Sequence, residues 1–553
     1  MPHYYHSFGM TYPDHSVAVD KAGNSYIAGS FGGILSFGAD TVKATSNFGI
    51  YLVKYDASGN VLWARQANED GSVNNGGGAS VALDRTGNAY ITGYFESAIY
   101  FGTDTLKATH GWDMFTAKYN ANGNVLWAKQ ATNTNYPSNS YGSSIAVDGS
   151  SNAYITGWFA GIIAFGSDTL KETGGYENVL VAKYDSSGNF LWARQCSTPN
   201  TSYNYAESNS IAVDKSGNSY ITGYGGDTLY FGPDTLVSNG IGSFFLVKYS
   251  ANGNVIWAKQ AIGNASGYSA AINGSGGIYI TGYFTGAIYF DTDTLKETAV
   301  NGDAFIAKYN SNGNLIWAKQ VYILDSNSWF GCSATCDTLT NGGGYFLTSL
   351  NGGGNSPYKL KFGADTFSLN TPIVSTGASL LLQLDSTGNV LCGTMFNGSN
   401  NSACYLESIG VDKSGHYIYL DGDLDTTLVF GIDTLVTEGT ECLPFLASWG
   451  PCVDTNITTS LSPISNSHSL SLFPNPNTGA FTLRVVSGLG LVDSKMQVEV
   501  YNVLGERVFK ETLRSAQGDN LIDISSNPGG VYLYRVMDES GALVGEGKFV
   551  IEK

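Results

Sequence analysis

Charge is scarce in this chain: 13% of its 553 residues are Asp, Glu, Lys or Arg, and acids outnumber bases 46 to 28. No cluster of Lys and Arg occurs, and the formal net charge is −18. A phosphate-binding surface needs a basic stripe to displace counterions, so nucleic acid is excluded as a partner. No run of eighteen apolar residues is present, which excludes a membrane-spanning helix. The first ten residues, MPHYYHSFGM, lack the basic and apolar segments of a secretory leader. Catalytic signatures are missing as well: there is no GxSxG, no HExxH and no glycine-rich phosphate loop between a strand and a helix. Histidine is rare, with His3, His6 and His15 near the start and His110, His416 and His468 scattered.

What is abundant is glycine, at 70 residues, and aromatic side chains, at 13% with 35 tyrosines. Aromatic and β-branched residues suit a pleated surface, and glycine supplies the left-handed positions of tight turns, so many short strands are expected. A chain of this length exceeds one ordinary core, which leaves several domains or a repeat architecture.

The repeat is plain. VDKAGNSYIAG at Val19 returns as LDRTGNAYITG at Leu83, VDGSSNAYITG at Val147, VDKSGNSYITG at Val213, INGSGGIYITG at Ile272 and, loosely, VDKSGHYIYLDG at Val411. A second marker, FGADTV at Phe37, recurs at Phe101, Phe165, Phe231, Phe290, Phe362 and Phe430, which counts seven units of about 65 residues. Each unit reads as four strands, a to d. In the second, a covers 80–84, b 89–95, c 115–119 and d 125–130, with the Asx-Gly turns DRTGN and NANGN between a and b and between c and d. Seven such units predict an all-β fold, a seven-bladed β-propeller. Trp63, Trp127, Trp192, Trp257 and Trp317 then become one packing element cast once per blade, in preference to a row of sugar-stacking rings. The sixth unit puts Cys392 at the tryptophan position. The seventh takes its last strand either from around Asp454 or from residues 4–8, and the true N-terminus is expected upstream of Met1.

Residues that recur in every unit are poor candidates for a single site. The a–b and c–d turns share one end of each sheet, and the irregular b–c and d–a connections share the other. Binding function is carried by variable loops on a rigid scaffold. Tyr136, Tyr141, Tyr203, Tyr205, Tyr322 and Trp329 lie in those loops among Asn and Ser, a composition that makes adaptable contact surface. The alternative is solvated linkers whose tyrosines pack locally. Asp421, Asp423 and Asp425 alternate along one strand and could offer oxygens to calcium, the one cofactor considered. They lack the Gly and Glu of an EF-hand loop, so a solvated strand face is the expected state. The aspartates of the recurring GxDTL phrase, such as Asp104 and Asp168, read as turn caps. Glu69, Glu96, Glu177, Glu207 and Asp227 are the stock from which a glycoside-hydrolysing carboxylate pair would be drawn. Seven cysteines match no zinc spacing. A disulfide is expected between Cys442 and Cys452, buried free thiols being the alternative.

After Ile457 the text turns Ser/Thr-rich, a linker over 460–469. Alternating apolar and polar phrases over 470–553 then predict a small β-sandwich. Pro474-Asn475-Pro476, the stretch from Asn502 to Gly505, Gly529-Gly530-Val531-Tyr532 and the tail from Lys548 follow in an order that resembles the type A C-terminal sorting domain of the Bacteroidetes type IX secretion system. The repeats resemble the SBBP family of β-propeller repeats. The first resemblance implies an Ig-like sandwich read by the outer-membrane export machinery, a signal peptide upstream, and a secreted or surface-attached product. Together these readings describe an exported propeller over 1–459 acting as a non-enzymatic binding or adhesion scaffold. A secreted polysaccharide hydrolase is the alternative.

Overall fold

The computed structural model describes residues 15–449 and 469–551, apart from 38–39, 45–48, 71–76, 136–137, 174, 200–203, 227, 239–241, 299–301, 324–328, 337–342, 352–358, 369–376, 398–403, 412–417, 425–426, 431–432, 437–442, 474–479, 487–496, 503–506, 514–517 and 538–542. The chain divides into two compact units, Met1–Asn456 and Ile457–Lys553. Every regular element among the described residues is a β-strand.

In the first unit of the chain the repeat builds antiparallel sheets. The second sheet runs Gly77–Leu83 (a), Ala89–Phe95 (b), Asp113–Tyr119 (c) and Val125–Gln130 (d), with d and a at its edges. Strands b and c are buried on both faces, as a sheet pressed between two neighbours requires. The a strands of successive sheets pack on one another, and the a strand of the last sheet, Cys404–Val411, packs on that of the first, His15–Val19. Val17 N donates to Ser408 Oγ at 3.1 Å, and the Tyr419 hydroxyl donates to the Gly23 carbonyl at 2.9 Å. The same tyrosine bond joins Tyr26 to Gly87 and Tyr154 to Gly217 between consecutive sheets. Residues 4–8 and the segment around Asp454 lie outside the described residues, and the last sheet has three described strands.

The recurring words have separate physical jobs. In the turns, Asp20, Asp56, Asp84, Asp148, Asp185 and Asp214 accept backbone N–H bonds two and four residues on, which fixes each hairpin. The tryptophans donate across to the next sheet's c–d turn: Trp63 to Ala121 O, Trp127 to Ser186 O, Trp192 to Ala251 O, Trp257 to Ser311 O and Trp317 to Ser386 O, at 3.1–3.3 Å. A buried lysine of strand c reaches the same carbonyl, as Lys118 does at Ser186 O, while lying over the ring of Tyr90. Gly188, at φ +81, sits where a Cβ would come within 2.8 Å of the Trp127 ring. The turn is thus glycine both for its backbone and for the indole beneath it.

One feature departs from four strands per unit. The FGxDT phrase is a hairpin of its own between b and c, for example Ala98–Phe101 with Asp104–Lys107. Its aspartate reaches strand d, where Asp104 Oδ2 accepts from Ala128 N, and the Gln130 side chain bonds both backbone groups of Lys107. The end of strand d in turn pairs with the hairpin of the following unit: Asn68 with Tyr100, Thr132 with Ala164, Ser197 with Tyr230, Ile262 with Tyr289 and Val321 with Phe362. Neighbouring sheets are therefore stitched by main-chain bonds as well as packed.

The second compact unit has two sheets, Ser469–Phe473, Ala480–Val486 and Gly518–Asp523 in one, and Arg507–Thr512, Gln497–Asn502, Gly530–Met537 and Leu543–Ile551 in the other. They enclose one core of Phe481, Leu483, Val498, Val500, Ile522, Tyr534, Val536 and Ile551.

Candidate binding site on the variable-loop end

Strands a begin, and strands b end, at the sheet end opposite the Asx-Gly turns, so the residues there are held on rigid β-structure. Two groups of side chains gather at this end in the second to fourth sheets. The first is aromatic. Tyr141 on strand Asn139–Val147 pairs in register with Trp158 on Ala153–Ala160, and their rings stack at 6.0 Å with planes 2° apart. Tyr94 of the preceding sheet lies 4.7 Å from Tyr141 and 5.2 Å from Trp112. Tyr141 and Trp158 are buried, whereas Tyr94 and Trp112 are half-buried. The four form a small apolar cluster separate from the large cores between sheets.

The second group is acidic and phenolic. Strand Gly175–Tyr184 meets strand Asn204–Val213 of the next sheet in a short parallel bridge, Gly175 to Asn204 and Glu177 to Tyr205. This places the Glu177 carboxyl in hydrogen-bond contact with Glu207. Burial first, then the Glu207 charge and that hydrogen bond, and lastly Glu172, push the Glu177 carboxyl far above its ordinary range. The close pair therefore retains a proton where a free glutamate would be ionised. Tyr224 bonds Glu207 and lies 5.6 Å from Tyr205, and burial with the two carboxyls raises both phenols. Nearby, burial pushes Asp113 up to about 7 against the pull of its donors, Asn133 N and Gln130 Nε2.

Several buried polar atoms at this end have no hydrogen-bond partner: Asn68 Oδ1, Glu96 Oε2, Asn133 Oδ1, Ser143 Oγ, Trp158 Nε1 and Asn178 Oδ1. Each such atom costs about 1–3 kcal/mol unless something meets it.

Of the residues expected from the loops, Tyr141 and Tyr205 enter these groups. Tyr322 lies on strand Leu315–Ile323, paired with Lys361 of the following hairpin. Trp329 begins the strand Trp329–Cys336. Tyr136, Tyr203, Asp227, Asp425, Cys442, Cys452, Pro474, Asn475, Pro476 and Gly505 lie outside the described residues. Asp421 and Asp423 are on strand Ile418–Leu424, and Glu69 is on Val61–Asp70. Asp104 and Asp168 cap strand d backbone N–H groups. Among the described residues no three His, Cys, Asp or Glu side chains are placed to hold a metal ion. Cys196 is a buried free thiol, and Cys392 is disulfide-bonded. In the C-terminal unit, Tyr532 donates to the Pro528 carbonyl and so locks the turn carrying Gly529 and Gly530. Lys548 is on Leu543–Ile551. Sequence reasoning passed over Tyr94, Trp112, Trp158 and Tyr224.

Sheets of this repeat, followed by a separate two-sheet unit, define an all-β protein built from propeller-type repeats. Comparison with known families places residues 126–158 and 191–231 in the β-propeller repeat and residues 471–552 in the secretion system C-terminal sorting domain. The sorting domain marks an exported protein, secreted or attached to the cell surface. No helix among the described residues is long and apolar enough to cross a membrane. An uncharacterized WD repeat-containing protein of Acanthamoeba polyphaga mimivirus is 25% identical, over 68% of this chain and 31% of its own length. This chain thus spans under a third of that relative. Among solved structures, a protein of unknown function from Bacteroides caccae is 12% identical with a TM-score of 0.27, over 70% of this chain and 94% of that one. A Synechocystis apocarotenoid oxygenase variant is 9% identical with a TM-score of 0.36, over 79% and 95%. Likeness at that level carries no argument about function.

Proposed function

We propose that the protein is a secreted or surface-attached, seven-bladed β-propeller over 1–459, joined by a linker over 460–469 to an Ig-like sandwich over 470–553. The propeller acts as a non-enzymatic binding or adhesion scaffold, and the sandwich engages the type IX secretion machinery. Closure of the ring is supported by the bonds from Val17 to Ser408 and from Tyr419 to Gly23, which repeat the contacts between consecutive sheets. The observation that carries the binding role is the gathering of aromatic rings and carboxyls at the end of the sheets that bears the irregular loops.

The competing role, a polysaccharide hydrolase, requires two carboxyls about 5–10 Å apart to admit a water or a sugar carbon between them. Glu177 and Glu207 share a hydrogen bond, an arrangement that favours a structural pair over a carboxyl pair spaced for a water or a sugar carbon. The export role is tested by deleting residues 470–553: the truncated protein is expected to stay in the periplasm, and its normal appearance outside the cell would refute the assignment. The binding role is tested by a glycan and protein interaction screen run beside a hydrolase panel. Turnover without any binding partner would overturn it.

A further inference from the structure

We propose that the outer face of the four-stranded sheet in the C-terminal unit, centred on Glu499, is the surface by which the export machinery holds this domain, and that it receives an acidic protein surface. This deepens the export reading and rests on it. Side chains alternate along the strands: Val498, Val500, Tyr534 and Val536 turn into the core, which leaves Glu499, Tyr501, Val531, Leu533 and Arg535 on the other side. Register sets these in rows, Lys510, Glu499 and Arg535 in one and Arg507, Tyr501 and Leu533 in the next. Three cations converge on the single buried carboxylate: Arg507 at 2.9 Å, Lys510 at 3.0 Å and Arg535 at 2.7 Å. Tyr501 donates to the same carboxylate at 2.6 Å, and Arg535 lies 5.0 Å from the centre of its ring.

One cation neutralises Glu499, so the other two leave a surplus of positive charge on this face, in a chain whose net charge is −18. The fourth strand adds Glu546 and Lys548 at the register positions beside Arg535 and Leu533, one charge of each sign, which leaves that surplus unchanged. The side chains of Arg507, Lys510 and Arg535 are 50%, 41% and 46% exposed. Beside them Val531 and Leu533 are 43% and 49% exposed, although the core draws nothing from these two positions. Arginine, tyrosine and aliphatic side chains gathered in one place are the make-up of a protein contact. The cations are spread over three adjacent strands, about 10 Å across, with donors of each already turned to Glu499. A free phosphate would need a concave cradle, and two aliphatic side chains give too little apolar area to hold a lipid surface. A protein surface presenting carboxylates around an apolar side chain meets both halves of the patch at once.

The test measures how much of the full-length chain appears outside a host that carries the type IX machinery. Leu533→Glu sets a carboxylate on the face and is expected to lower the exported amount roughly tenfold, the scale of one lost interface hot spot. Leu533→Lys deletes the same leucine but keeps the sign of the face, and is expected to lose about threefold at most. Leu521→Glu, at a residue 75% exposed on the other sheet, leaves export unchanged. Should thermal melts show that Leu533→Glu unfolds the unit, Val531→Glu and Val531→Lys carry the same comparison. Wild-type export of the acidic variant overturns the proposal, as do equal losses for the acidic and basic variants. Binding of the full chain to phosphatidylglycerol vesicles that is lost in Leu533→Glu also overturns it, by putting a membrane in place of the protein partner. Normal export of Leu533→Glu while the chain lacking 470–553 is retained refutes only this face; normal export of that truncated chain refutes the export role itself.

Discussion

The interface between sheets can be tested at two glycines that differ in one respect. Gly59 and Gly188 occupy the same position of the turns DASGN and DSSGN, at φ +83 and +81, with the same aspartate bonds around them. A Cβ at Gly59 meets nothing within 4 Å, whereas one at Gly188 falls 2.8 and 2.9 Å from atoms of the Trp127 indole. Alanine at either site is forced into the left-handed region, at about 1–2 kcal/mol. At Gly188 it also overpacks the interface, which adds roughly 1–3 kcal/mol because the ring is pinned by its bond to Ser186 O. Urea unfolding of the intact protein should therefore show Gly188→Ala clearly less stable than Gly59→Ala. In a Trp127→Leu background the extra cost should vanish, leaving only the backbone penalty. Equal costs at the two glycines, or no coupling to Trp127, would refute the view that the indole is the seat of the following turn.

Removing the closing bond by Tyr419→Phe should cost about 1 kcal/mol, like Tyr26→Phe between consecutive sheets, because the two hydroxyls make the same bond to a turn carbonyl; a silent Tyr419→Phe would contradict closure. Asp113 has its folded pKa raised to about 7 while its unfolded value is near 4, so the folded state holds the proton longer. Stability should then fall as pH rises from about 4 to 7, by at most about 4 kcal/mol from this group, and Asp113→Asn should flatten that fall in melting temperature against pH. In the C-terminal unit, Glu499 accepts from Tyr501, Arg507 and Arg535 and pairs with Lys510, which holds its carboxyl at about 2. That contribution is present above the ordinary glutamate pKa and is lost as pH falls toward 2. Glu499→Gln should destabilise the unit by roughly 2–3 kcal/mol, read as faster proteolysis of residues 470–553.

The strands and turns were legible because their signals are local. The recurring phrases and the turns that bound them set b and d of the second sheet to the residue, and Asx-Gly chemistry located the turns. The tryptophans were readable for a related reason: a large ring recurring at one place in every unit is most simply a contact that every unit makes. The FGxDT hairpin escaped because arms of four residues carry too little alternation, and its anchors, Ala128 N and Gln130, lie over twenty residues away. Tyr94, Trp158 and Tyr224 were hidden by their position in the repeated ITG phrase, which invited the inference that they too are scaffold. After Ser30 in the first unit the residue following that glycine is aromatic in each of the next four, Tyr94, Trp158, Tyr224 and Tyr283, so the repeat gave no sign that sets these rings apart. Glu177 and Glu207 were named without being paired, since a parallel bridge between neighbouring units leaves no trace in either unit's own pattern.

The two ends of the sheets differ in what hydrogen bonding they have left. At the turn end, the carbonyls of Ala121, Ser186, Ala251, Ser311 and Ser386 each accept two donors from the preceding unit, a lysine and a tryptophan. A carbonyl has two lone pairs, so these are fully used. Tyrosine hydroxyls take further turn carbonyls at Gly23, Gly87, Ser151 and Gly217. Assembly therefore consumes the polar capacity of that end, and any ligand there would compete with the bonds that hold the sheets together. At the loop end the interfaces are stitched by main-chain pairing and by side-chain bonds such as Trp112 N to Asn139 Oδ1 and Met114 N to Ser140 Oγ, yet side-chain atoms such as Trp158 Nε1 and Glu96 Oε2 remain unspent. The turn end therefore has less bonding capacity to offer a ligand than the loop end, which favours the loop end for the proposed binding surface.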